Sequence, residues 1–302
     1  MVSGDLQQEL GRRNALWIAG QLAHGAPDVG HPDVSTELRV RTGAVVLSSW
    51  STDAEVRAAL RPVFEAAVPD QRALIALGDI DTWLPHGRIA RSWWIRAAAG
   101  PDPELAALGA WRAAQADLRG GRDDDAGPLL QQADAAGVEG ASLALGRIVE
   151  KRGDDEAAAR LFRRSRSDEG MLRLAEILLR ADDLDGAYDV AEHCSPMPHT
   201  PGSIDLCAWS EWVRGEIAFR RGFLDAAEVL LERSRHAPGR RGRQAELRLA
   251  QIAIAQGDAS SAHFWTTMVA GGSDLEADHA RLLLELHRDL IEEGARLLEQ
   301  DD

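Results

Sequence analysis

Apolar and small residues recur along this chain at helical spacing, in paired segments that return about every 35 positions. The clearest copy runs Leu77-Gly78, Ala90, Trp94, Ala97 and then Pro101-Asp102-Pro103; a second runs Leu145-Gly146, Gly153-Asp154, Ala158 and Phe162. With the small residue after the Leu as a ruler, equivalent positions fall at Gly43, Gly78, Ala114, Gly146, Ala175, Gly215 and Ala250, separated by 35, 36, 32, 29, 40 and 35 residues. Twelve residues beyond each of the last six stands another small residue, at Ala90, Ala126, Ala158, Ala187, Ala227 and Ala262, whereas the first copy has Glu55 there. Two helices that cross where both carry a small side chain bring their backbones close together, so the pattern predicts a series of helical hairpins.

Breakers and helix N-caps punctuate the paired segments at Gly120-Gly121-Arg122-Asp123, Gly153-Asp154, Asp182-Asp183, Arg221-Gly222 and Gly257-Asp258. No segment has the alternation of a strand. Residues 5–23 predict an N-terminal helix, followed by a loop through Pro27 and Pro32. At the far end, Leu275 to Glu299 reads either as one capping helix or as an eighth hairpin turning near Asp289. The expected organisation is a capping helix and loop at 1–35, a repeat array at 36–272 and a cap or degenerate repeat at 273–302, because a stack of hairpins must close its apolar ends.

The Leu-Gly pair, the later Ala, the aromatic four residues on and the closing Pro at 77–103 resemble the tetratricopeptide repeat, and Ala90, Trp94, Ala97, Ala98 and Gly100 also look like its Sel1-like relative. The resemblance covers residues 36 to about 300. It implies an all-α, right-handed solenoid of about seven such hairpins with helical caps. It also implies a non-enzymatic module that takes a peptide or protein in a concave groove. One subtype departs from this pattern: the clamp that reads chaperone tails uses several Lys and Asn, and this chain has only Lys151 and Asn14.

Charge and composition narrow the partner. The 302 residues carry 34 Lys plus Arg against 49 Asp plus Glu, a net charge of -15, which disfavours nucleic-acid and anionic-membrane surfaces. No apolar run has the length of a membrane span, and the start lacks the basic and apolar regions of an export signal, so a cytoplasmic protein is expected. Two cysteines, Cys194 and Cys207, exclude a disulfide scaffold.

Candidate chemistry is sparse. His193, Cys194, His199 and Cys207 bring zinc-type donors into a proline-broken segment, but in no zinc-module spacing, and no metal or cofactor is expected. Asp123-Asp124-Asp125, Asp154-Asp155 and Asp182-Asp183 sit at the turns, where capping accounts for them. No nucleophile elbow, phosphate loop, dinucleotide fingerprint or His-Glu-x-x-His occurs. The basic run Arg233, Arg235, Arg240, Arg241, Arg243 and Arg248, broken by Pro238-Gly239 and Gly242, reads as a solvated loop, or else as an anchor for an acidic partner, including a second copy of this chain. Nine Trp stand against five Phe and one Tyr. If first helices line the inner surface, Trp83, Trp111, Trp209 and Trp212 lie on or beside it with Arg119, Arg180 and Arg220, the residue types of interface anchors. The rival readings are a small-molecule sensor and an enzyme on a helical scaffold, either of which needs an enclosed pocket with convergent polar groups.

Overall fold

The computed structural model describes residues 2–24, 36–82, 88–194, 203–235 and 240–298. Among them every regular element is helical: α1 (Val2–His24), α2 (Thr36–Ser49), α3 (Ala54–Ala66), α4 (Gln71–Asp81), α5 (Arg88–Ala98), α6 (Pro103–Arg119), α7 (Asp123–Ala135), α8 (Ala141–Lys151), α9 (Asp155–Ser165), α10 (Asp168–Arg180), α11 (Leu184–Glu192), α12 (Ser203–Arg220), α13 (Leu224–Ser234), α14 (Arg240–Gln256), α15 (Ala259–Ala270), α16 (Leu275–Leu286) and α17 (Arg288–Leu298). None of these described helices is long and apolar enough to cross a membrane.

The helices start where the sequence supplies caps. The side chains of Asp53, Asp70, Asp102, Asp154, Asp183, Asp258 and Asp274 each accept a hydrogen bond from a backbone N–H in the first turn of the following helix, and Ser167 does the same for α10. In the hairpins from α6–α7 to α14–α15 the turn closes by a left-handed residue just before the cap. Gly153 takes this position at φ 83°, so that the Asp154 N–H can return to the Val149 carbonyl at 3.3 Å. At the equivalent turn after α10 the left-handed residue is Asp182, at φ 61°, one of the few non-glycine types that tolerate it.

The chain divides into two compact units, Met1–Ile148 and Val149–Asp302. In the first, α1 packs on α2 and α3, successive helices from α2 to α7 pack as hairpins, and α2, α4 and α6 lie side by side. Its main core joins Ala15 and Ala19 of α1 to Val40, Leu60, Phe64 and Leu77. In the second, successive helices from α9 to α15 pack in the same way, with α10, α12, α14 and α16 adjacent as first helices. Its core holds Leu172, Leu179, Trp209, Trp212, Ile217, Leu231 and Trp265.

The ruler positions explain this packing. All seven first-helix markers and all six second-helix alanines are buried. A Cβ on Gly215 would stand 2.8 Å from Leu231 Cγ, so the absence of a side chain lets α12 and α13 approach.

Residues 275–298 form two helices that break at His287, two residues before the Asp289 at which the hairpin reading of this segment turns. One expectation changes. The run from Arg240 is no loop: it is the first turn of α14 and continues through a buried Gly242. Pro196 to Thr200, Pro238 and the loop containing Pro27 and Pro32 lie outside the described residues.

Candidate functional site

In the second unit the first helices α10, α12, α14 and α16 border a groove of about 740 Å³. Its polar wall is built of arginines held from beneath by glutamates. On α12, Glu216 accepts from Arg248 Nε and Nη2 of α14 at 2.7 and 2.8 Å, and from Arg220 Nε one turn along its own helix at 2.7 Å. Burial pushes the Glu216 carboxyl up, but hydrogen bonds and charge from Arg248 and Arg220 outweigh it and hold the group below its ordinary value. Arg220 Nη1 also donates to the Leu179 carbonyl at 2.7 Å, which fastens α12 to the end of α10.

On α10, Glu176 Oε1 accepts from Trp209 Nε1 at 2.8 Å and from Arg241 Nε at 2.7 Å. The Arg241 guanidinium carbon lies 3.5 Å from the Trp209 ring centroid, a cation over an aromatic face. On α16, Glu276 Oε1 accepts from Arg240 Nε at 2.5 Å and from Gln244 Nε2 at 3.4 Å. Arg180, at the end of α10, donates through Nε and Nη2 to Asp155 at 3.2 and 2.9 Å and through Nη2 to Glu150 at 3.3 Å.

The sequence-derived groove residues separate into two places. Trp212, Arg180 and Arg220 border the groove of the second unit together. Trp209 is buried in the core next to it, tied to Glu176, so it does not stand as a free surface ring. Trp212 is also largely buried, and its indole Nε1 has no acceptor among the described residues. Trp111 and Arg119 belong to the first unit, where they border a shallow groove of about 390 Å³ with Gln115, Ala144 and Arg147. Arg119 also reaches a neighbouring pocket of about 510 Å³ whose wall includes Asp79, Arg112 and Trp94. There burial pushes the Asp79 carboxyl up, opposed by Arg112 at 3.6 Å. Trp83 lies outside the described residues.

The zinc-type donors are dispersed. Cys194 lies buried just beyond the C-cap of α11, with Sγ donating to the Asp168 carbonyl at 3.6 Å, and burial pushes its thiol up to about 11. Cys207 sits on α12, and His193 Nδ1 is 2.6 Å from the Asp189 carbonyl. His199 lies outside the described residues. Among those residues no group of three His, Cys, Asp or Glu side chains is placed to hold a metal ion.

Sequence reasoning missed the three glutamates. Glu216 carries one legible signal, the i,i+4 spacing to Arg220. Arg248, Arg241 and Arg240 find their acceptors 32, 65 and 36 residues away, which no local pattern reveals.

No family model matches this chain, and no curated protein matches it. Among solved structures, the crystal structure of yeast Tom70 is similar at 15% identity with a TM-score of 0.43, covering 94% of this chain and 72% of that one. The P58(IPK) TPR (tetratricopeptide repeat) domain is similar at 13% identity with a TM-score of 0.28, covering 99% of each chain. At such scores the architecture rests on the hairpin contacts themselves.

Proposed function

We propose that this chain is a non-enzymatic interaction module that receives a peptide or protein segment along the first-helix groove of its second unit. The observation that carries this reading is the convergence on one groove of Trp212, Arg180 and Arg220. Large rings and arginine forks are the side chains that supply contact area and charge-assisted hydrogen bonds at interface centres. The groove carboxylates Glu176, Glu216 and Glu276 are all engaged by arginines, an arrangement that suits rigid presentation more than proton transfer. With a net charge of -15 the partner is protein in preference to nucleic acid, and a second copy of the chain is one candidate.

The test is copurification from the native host with mass spectrometry, followed by titration of the purified partner. Trp212→Phe and Arg180→Ala should each weaken that partner by about 1 to 3 kcal/mol with the Tm nearly unchanged. Equal affinity in both variants would remove the groove from the reading. A second reading, a small-molecule sensor, is favoured by one observation, the half-buried Asp79, its carboxyl pushed up by burial, in a pocket of about 510 Å³, within the range of small-ligand sites. A thermal-shift screen that finds a ligand lost on Asp79→Asn would establish it.

A further inference from the structure

The second-unit groove has a polarity that its formal charges alone do not convey. Its three glutamates lie at the bottom, with side chains 4% exposed at Glu216, 4% at Glu276 and 15% at Glu176. The arginines lie above them: the side chains of Arg240 and Arg180 are 61% and 48% exposed, and those of Arg220, Arg248 and Arg241 between 25% and 33%. A molecule entering the groove therefore meets guanidinium N–H groups before it meets carboxylate oxygens.

The hydrogen bonds leave donors to spare. Arg240 and Arg241 are both held through Nε, and neither Nη of either residue donates to a described residue. A guanidinium carries five N–H donors in a fixed plane, so a carboxylate gripping the Nε edge orients the outer Nη edge. The Trp209 ring beneath the Arg241 guanidinium carbon, 3.5 Å from its centroid, restrains that group further. Beside these forks Trp212, 9% exposed, adds the edge of an aromatic ring to the groove lining. The wall thus presents the Nη donors of Arg240 and Arg241, which no acceptor among the described residues engages.

Resting on the groove reading above, we infer that the partner segment is acidic: a run of Asp or Glu whose carboxylates lie against the outer Nη edges of Arg240 and Arg241, with Arg180 Nη1 as a further single donor. Carboxylates match the guanidinium fork with two parallel bonds, and these are stronger than neutral hydrogen bonds. The acidic remainder of the chain does not oppose such contacts at physiological salt, because charges beyond a Debye length of about 8 Å are largely screened. A long polyphosphate backbone is a poorer match than a short acidic peptide, since its charge would extend past the arginines over a chain whose net charge is -15.

The probe is a fluorescein-labelled decaglutamate peptide, with decaglutamine, decalysine and a single-stranded oligothymidylate as controls, read by fluorescence polarisation at about 150 mM salt, where charges beyond about 8 Å are largely screened. Decaglutamate should bind and be released by added salt, while decaglutamine, of the same length without charge, should bind at least about tenfold more weakly. The double variant Arg180→Gln, Arg240→Gln keeps hydrogen-bonding side chains and should lower decaglutamate affinity about tenfold or more with an unchanged helical signal. If that variant does not fold, the comparison of decaglutamate with decaglutamine on the unaltered protein decides the question. Equal binding of those two peptides, tighter binding of decalysine, or tighter binding of oligothymidylate overturns the inference. A native partner weakened by Trp212→Phe but not displaced by decaglutamate would overturn the acidic chemistry and leave the groove reading standing. A partner indifferent to both would sink the two together.

Discussion

The indole of Trp94 occupies the space that a Cβ on Gly78 would need, so the two residues specify each other across the crossing of α4 and α5. The ring is almost fully buried and its Nε1 donates to the Ile75 carbonyl at 3.3 Å, which leaves it little freedom to move aside. Gly78→Ala should therefore destabilise the first unit by about 2 to 3 kcal/mol, the upper part of the overpacking range. Gly20, inside α1, has open space where a Cβ would stand, with no atom within 4 Å. Gly20→Ala should stabilise by about 0.5 to 1 kcal/mol through helix propensity. Denaturant melts of the two variants should shift in opposite directions, and the same sign in both would refute the proposed crossing.

Trp212 lies in the core of the second unit as well as on the rim of its groove. Truncating it to Ala opens a cavity, and Trp212→Ala should cost about 3 to 5 kcal/mol of stability. Trp212→Phe keeps most of the apolar contact and removes a buried donor without an acceptor, so its stability should lie within about 1.5 kcal/mol of the parent. Thermal melts of the pair measure the difference, and a small loss in the Ala variant would mean that the ring is a surface side chain.

Glu216 couples the groove to pH. Its carboxyl is held below its ordinary value, so the unfolded chain binds the proton more readily than the folded one. The stabilisation is present above the unfolded glutamate value, about 4.3, and is lost as pH falls through the lower folded value. Glu216→Gln should cost about 1 to 3 kcal/mol at neutral pH, moderated because Arg220 and Arg248 can turn to water. The gap between the two proteins should close on acidification below pH ~4. Urea melts across pH 3 to 7 follow this, and a gap independent of pH would show that the ion pairs contribute nothing.

Cys194 offers a chemical readout of local opening. Its thiol, raised by burial to about 11, stays protonated and shielded at pH 8. Iodoacetamide should label Cys207 first and reach Cys194 only as the second unit opens, which mass spectrometry of timed samples resolves. Stability tied to this thiol is complete below its unfolded value and is lost as pH rises through about 11. Simultaneous labelling of both thiols in the folded protein would contradict the burial.

The hairpin ladder was legible because small residues at helix crossings leave a period that survives in the sequence, and every marker from Gly43 to Ala250 is buried. The caps at Asp154, Asp183 and Asp258 were legible for the same reason, since capping is a local act, whereas Asp123, Asp124 and Asp125 lie inside the first turn of α7, whose N-cap, Arg122, makes no side-chain capping bond. Helix α14 was not. Pro238, Gly239 and Gly242 around a cluster of arginines have the composition of a loop, yet the helix starts at Arg240 because glutamates on α10, α12 and α16 neutralise its basic face. Trp209 was misleading in another way: its place on a first helix suggested an inner-surface ring, but Arg241 covers it. The break at His287 carries no Gly or Pro, so the sequence left a single helix and a turn near Asp289 both open.

Close backbone contacts in the second unit run between helices one or two places apart, a linkage that bends at each interface like a jointed rod. Glu176 and Arg241 escape that rule, since the pair joins α10 to α14 across the Trp209 ring of α12. Three first helices are thereby pinned at a set spacing by one carboxylate and one guanidinium. The curvature of this part of the groove is fixed before anything enters it, and an incoming segment need not spend binding energy on stiffening a spring.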